Sequence, residues 1–125
     1  MANAVAAVSV VDDRYQWSMG SKYCVIGSLA ISAGPATYVT GGIACSLLTS
    51  AVKATRAPFF MRIQNQSGFV YRYIPGVDAS TGLLKIFVQD AVATNPLLEM
   101  ANTTAIPAGV SGDVITFFAI FQGME

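Results

Sequence analysis

Between Phe69 and Ile74 aromatic residues alternate with Val70, Arg72 and Ile74, which puts Phe69, Tyr71 and Tyr73 on one face of an extended segment. The same period of two returns at residues 83–89, where Leu84, Ile86 and Val88 fall together, and at residues 58–64, where Phe59, Met61 and Ile63 do. The turn formers of residues 65–68 (NQSG) and 75–82 (PGVDASTG) separate these runs, so residues 58–89 read as a hairpin or meander. A further strand is predicted over residues 22–33 (KYCVIGSLAISA), with Gly27 marking a bulge or a close approach and Gly34-Pro35 turning the chain. The last run, residues 113–122, carries Ile115, Phe117, Ala119 and Phe121 on one face and Val114, Thr116, Phe118 and Ile120 on the other. Both faces are apolar, which predicts an interior strand covered on both sides, because as an open edge it would template aggregation.

Helical periodicity is scarce. The connection over residues 90–112 contains Pro96, Pro107, Gly109 and Gly112, and a short helical turn is expected only around residues 96–101. Short strands punctuated by glycine turns imply one all-β domain, a β-sandwich or jelly roll over residues 22–125. Residues 1–21 differ from it: a small-residue start, the strand-forming Ser9-Val10-Val11, and a polar tip at Asp12-Asp13-Arg14. They read either as a first strand of the body or as an extended N-terminal arm that pairs with a neighbouring subunit. On the second reading Val5, Val8, Val10, Val11 and Trp17 are the candidate interface residues.

Composition sharpens this picture. Hydrophobic residues make up 54% of the chain and charged residues 11%, against about 25% charged in an ordinary soluble domain. A domain of this size buries only roughly two-thirds of its unfolded surface, so many apolar residues must lie outside. Covering them with other protein, in an oligomer or a larger assembly, is the simplest resolution. The net charge is zero and the basic residues form no run, which argues against a nucleic-acid surface. No apolar run reaches the roughly 18 residues that span a bilayer, and the start lacks the basic region of a secretory leader. Cys24 and Cys45 sit in apolar or small-residue segments and read as buried thiols of a protein made in a reducing compartment, a disulfide between them remaining geometrically open.

Catalytic chemistry finds little to work with. There is no histidine, hence neither the usual general base near neutral pH nor the commonest transition-metal ligand. Asp12-Asp13 is the one adjacent acidic pair and reads as a solvated turn, and neither cysteine has a histidine partner. The stretch Tyr38-Val39-Thr40-Gly41-Gly42-Ile43 lacks the Gly-Lys-Ser/Thr of a phosphate loop. Tyr38, Thr40, Gly41 and Gly42 are instead expected to form a structural turn that needs positive φ at its glycines. Trp17, Tyr71 and Tyr73 are of the type that lines sugar-binding faces, although core or subunit contacts are their commoner role. No enzyme, cofactor or metal is expected.

The succession VIGSLAIS (residues 25–32), AGPATYVTGGI (33–43), SGFVYRY (67–73), DASTGLLKIF (78–87) and a terminal hydrophobic strand resembles the capsid decoration, or cement, proteins of tailed bacteriophages. In that group a Tyr-x-Thr-Gly-Gly turn precedes an apolar segment, and a Tyr-x-Tyr followed by Gly-x-Leu-Lys marks a hairpin. The resemblance covers residues 22–123 and departs from the pattern at Pro35-Ala36. It implies a virion protein, made in the host bacterial cytoplasm, that binds the outer surface of an HK97-like shell. Its partners would be the major capsid protein and itself, as a homo-oligomer with a trimer favoured over a dimer, and it would engage no nucleic acid, membrane or cofactor. Bridging capsid subunits, it would stabilise the expanded shell. Two other readings stand beside this one: a β module of the head-fibre base or tail, and a glycan-binding sandwich displayed on the capsid.

Overall fold

Alternation of buried and exposed side chains is clearest where the period of two is strongest in the sequence. In the computed structural model, which describes residues 3–19, 22–47, 56–88 and 97–122 and all their side chains except those of residues 10–19 and 122, Leu84 and Ile86 are fully buried while Leu83, in the same run, is exposed. The described elements are β1 (Val5–Met19), β2 (Lys22–Ile31), β3 (Ile43–Ser46), β4 (Phe60–Asn65), β5 (Val70–Ile74), β6 (Gly82–Val88), β7 (Leu98–Glu99), the helical turn α1 (Ala108–Ser111) and β8 (Ile115–Gln122). The protein is an all-β single domain.

The strands form one mixed sheet in the order β4-β8-β2-β1-β3-β6-β5, with β7 added to β6. Among the described strands only the β1–β3 ladder is parallel. The two layers expected of a sandwich are therefore halves of a single curled sheet. Its end strands, β4 and β5, come into contact but share no ladder, leaving a nearly closed barrel with one open seam. The interior is filled by the inward residues of every strand, among them Val25 and Leu29 of β2, Ile43 and Cys45 of β3, and Ile115, Phe117, Ala119 and Phe121 of β8. Tyr23 and Phe121, opposite one another in register, pack with ring centroids 6.0 Å apart.

Three expectations are corrected. β8 is interior in the sheet, between β4 and β2, but only one of its faces is covered. Val114 is 52% exposed, Thr116 is exposed, and Phe118 and Ile120 are half-buried, because a single curled sheet has only one inside. No helical turn forms within the described part of residues 96–101; Leu98 and Glu99 pair with Val88 and Phe87, and the Met100 N–H donates to the Ile86 carbonyl at 2.9 Å. Beyond β3 that edge of β6 offers unpaired backbone groups, and satisfying them outweighs a weak local preference. The helical turn appears later, after Pro107, where Val110 is buried. Phe59 does not join Met61 and Ile63 on the inner face; it precedes β4 and is 57% exposed.

Residues 5–19 form a strand of the chain's own sheet. β1 is antiparallel to β2 over most of its length and parallel to β3 at Val5, Ala6 and Ala7, so its first residues are flanked on both sides. Register shifts fall between Val8 and Val10 and between Val11 and Gln16, the latter spanning the Asp12-Asp13-Arg14 tip.

Candidate functional site

The described acidic side chains are Asp78, Glu99 and Asp113, and each is turned onto the protein's own polar groups. Glu99, at the end of β7, accepts from the Tyr38 hydroxyl at 2.6 Å and from the Gly41 N–H at 2.8 Å. Tyr38 is fully buried, and its hydroxyl also accepts from the Ile86 N–H at 3.4 Å. The hydrogen bond from Tyr38 holds the Glu99 carboxyl below the usual carboxylate range, with further help from the Gly41 N–H and from Lys85 against the cost of burial. Burial first, and then Glu99, pushes the Tyr38 phenol up. The Thr40 N–H donates to Asn102 Oδ1 at 3.2 Å. Gly41 and Gly42 have φ of 97° and 124°, and a Cβ on Gly42 would lie 3.0 Å from that of Leu83, so this turn requires glycine for both conformation and space. Tyr38, Thr40, Gly41 and Gly42 thus lie together, tied to the 99–102 segment.

Asp113, just before β8, holds the β4–β5 connection. Its carboxylate accepts from Asn65 Nδ2 at 3.0 Å, the Gln66 N–H at 3.2 Å, the Ser67 N–H at 3.0 Å, the Ser67 hydroxyl at 2.5 Å and the Tyr71 hydroxyl at 2.8 Å. Burial would raise this carboxyl, but the hydrogen bonds from Ser67, Tyr71 and Asn65 outweigh it and hold the group low. Asp78 caps its own turn, accepting from the Ser80 N–H and hydroxyl at 2.9 and 2.7 Å. Asp113 accepts on both oxygens, Glu99 on Oε2 and Asp78 on Oδ1, so each carboxylate staples a loop or turn to the body of the chain. Sequence reasoning missed Glu99 and Asp113 because each meets its phenol across a separation of 61 or 42 residues.

The basic side chains are placed oppositely. Arg56, Arg62 and Arg72 are exposed, and among the described residues none of them meets a carboxylate. Arg62 and Arg72 flank the open seam, where a groove of about 430 Å³ has Met61, Ile63, Tyr71 and Tyr73 as its floor and Phe60 with the two arginines as its rim. A second hollow of about 270 Å³ continues it past Pro58, Phe59 and Pro75. Tyr71 and Tyr73 are turned into the barrel, Tyr71 with its hydroxyl engaged by Asp113, so they do not present an exposed aromatic face of the kind sugars stack on. The Tyr73 hydroxyl is buried without a partner, and burial pushes that phenol up to about 12.

The outer face from β1 to β5, which ends at one lip of the seam, carries an apolar row. Val5, Ala44, Leu83 and Ile74 stand side by side in register across β1, β3, β6 and β5. Val5 is 47% and Leu83 37% exposed, and a second apolar pair, Val70 and Phe87, lies four residues further along β5 and β6, beyond the Arg72–Lys85 pair. Of the candidate interface residues, only Val5 belongs to this row. Val8 packs against the chain's own core. Val10, Val11 and Trp17 are placed by backbone register opposite Ser28, Gly27 and Cys24, and their side chains, with those of Asp12 and Asp13, lie outside the described residues.

Cys24 and Cys45 are buried free thiols. Cys24 lies beside Trp17 and Cys45 beside Ala6, near opposite ends of a 15-residue strand, so the disulfide left open by the sequence is out of reach. Among the described residues no three metal-ligating side chains cluster, and no helix is long and apolar enough to cross a membrane. In comparisons with known proteins, no family model, curated protein or solved structure matches the chain.

Proposed function

We propose that this chain is a structural subunit of a larger protein assembly, and specifically a decoration protein of a tailed-phage head. The observation that carries the reading is the apolar row Val5–Ala44–Leu83–Ile74 on the outside of a barrel whose interior is already filled. An exposed cross-strand row of this kind is a contact surface looking for a protein partner. Covering each of these partly exposed side chains is worth roughly 1 kcal/mol, so one copy binds modestly and many copies act together.

The mechanism is additive clamping. Copies lying across joints between capsid subunits gain contact only where the lattice presents both sides of a joint. If the expanded lattice offers that geometry and the unexpanded one does not, binding biases the shell toward expansion. The two carboxylate staples suit the task, because they stiffen the loops at the barrel ends without any cofactor.

The test is the number of copies of this chain per copy of the major capsid protein in purified particles. Hundreds of copies at a fixed ratio to the lattice would support decoration. A handful would move the chain to the head-fibre base or tail, and absence would overturn a virion role.

A further inference from the structure

We infer that the seam between β4 and β5 is a binding site for an extended, acidic polypeptide segment of another chain, which lies along the groove and continues the ladder at the free strand edges. The inference concerns the seam alone and does not rest on the virion reading.

Three observations converge on it. Among the described residues β4 is paired only through β8 and β5 only through β6, so each turns an edge without a ladder partner toward the other. Such edges are matched by a polypeptide backbone in extended form and by few other ligands. Between them runs a groove of about 430 Å³ that opens further toward Pro58 and Pro75. Its floor is apolar and aromatic, and inward-facing side chains of an inserted strand would meet Met61, Ile63 and Tyr73.

Charge selects the occupant. Arg62 and Arg72 stand on the two rims, and among the described residues neither guanidinium has a carboxylate partner. Arg72 lies directly opposite Lys85 in the β5–β6 ladder, a like-charge pair that costs stability until an anion joins it. Among the chain's own described carboxylates, Asp113 and Asp78 are committed to hydroxyls and backbone N–H groups, and Glu99 serves Lys85 rather than Arg72. The segment that fits alternates apolar residues, facing the floor, with acidic residues, facing the arginines.

The test uses the full-length chain, isotopically labelled, and blocked peptides of about seven residues, the length of an ordinary strand. One alternates valine with glutamate, a second alternates valine with lysine, and a third keeps the glutamates but replaces two valines by proline. The expected result is binding of the glutamate peptide, with amide shift changes concentrated in β4 and β5. The proline peptide should bind at least about ten-fold more weakly, since it cannot continue a ladder, and the lysine peptide should not bind. Arg62→Gln with Arg72→Gln should weaken the glutamate peptide by about ten-fold while leaving thermal unfolding unchanged. Because both arginines are exposed, a fold lost in the double variant would be replaced by the single Arg72→Gln, read the same way. No binding at millimolar peptide, equal binding of the proline peptide, or equal competition by a sulfated oligosaccharide would overturn the inference.

Discussion

Tyr71 and Tyr73 are two residues apart, face the same interior and lie in opposite polar circumstances. Tyr71 donates to Asp113 at 2.8 Å, whereas the Tyr73 hydroxyl is buried without a partner. A hydrogen bond to a charged group contributes roughly 1.5–3 kcal/mol, while an unmet buried hydroxyl costs its desolvation and returns nothing. Tyr71→Phe is therefore expected to lower unfolding free energy by about 2 kcal/mol, and Tyr73→Phe to leave it unchanged or raise it by up to about 1 kcal/mol, in urea titrations of the two variants. Equal losses would show that ring packing and not the hydroxyl decides both positions. The carboxylates set the acid limb. Asp113 and Glu99 have folded-state pKa values held below their unfolded ones, so their contribution is complete above the ordinary carboxylate range and disappears as pH falls through the lower, folded value. Stability should decline below about pH 4. In Asp113→Asn that decline should be shallower, on a protein already weaker by about 2 kcal/mol at pH 7, as thermal melts across pH would reveal.

At the scale of elements, Gly82 and Tyr73 explain each other. A methyl group on Gly82 would coincide with the Tyr73 hydroxyl, since the tyrosine ring lies over the glycine from its diagonal position on the neighbouring strand. Gly82→Ala is expected to cost about 2 kcal/mol, and the cost should shrink by more than half in the Tyr73→Val background, where nothing overlies the glycine. A cycle with no coupling would mean that the backbone of β6 yields instead. β1 gives the second expectation at this scale. Because its first residues separate β2 from β3, deleting residues 1–11 should abolish cooperative unfolding altogether. A truncated chain that still melts cooperatively would return this segment to the role of a detachable arm. The strands over residues 58–89 were readable because alternation there is dense and turn formers bracket each run. β7 was not, since two residues carry no period and their pairing comes from a free edge of β6.

At the scale of the molecule, equal numbers of acidic and basic residues conceal an uneven distribution. The described carboxylates are spent on the chain's own loops and turns, the arginines lie outside, and the apolar excess surfaces as a row across four strands. If that row mediates assembly, Val5→Asp combined with Leu83→Asp should leave the thermal midpoint of the isolated chain within a few degrees while abolishing self-association in sedimentation and incorporation into particles. Retained association in a folded variant would exclude the row as an interface. The low charge and high apolar content that make such a surface necessary were legible in composition alone. Its location was not, because Val5, Ala44, Leu83 and Ile74 come from four separate segments and only register aligns them.

What the sequence determined by itself is local: extended segments of period two, the glycine turn at residues 41–42, the absence of histidine chemistry, and an all-β domain with more apolar residues than one core can hold. Tertiary structure decided the strand order, the parallel β1–β3 ladder, the open seam, and which carboxylate meets which phenol. The division has a physical cause. Side-chain alternation and turn chemistry act over a few bonds and leave a local signature, whereas ladder pairing and buried hydrogen bonds join residues dozens of positions apart, where the free energy of the whole packed sheet selects among many patterns that the local signals permit equally.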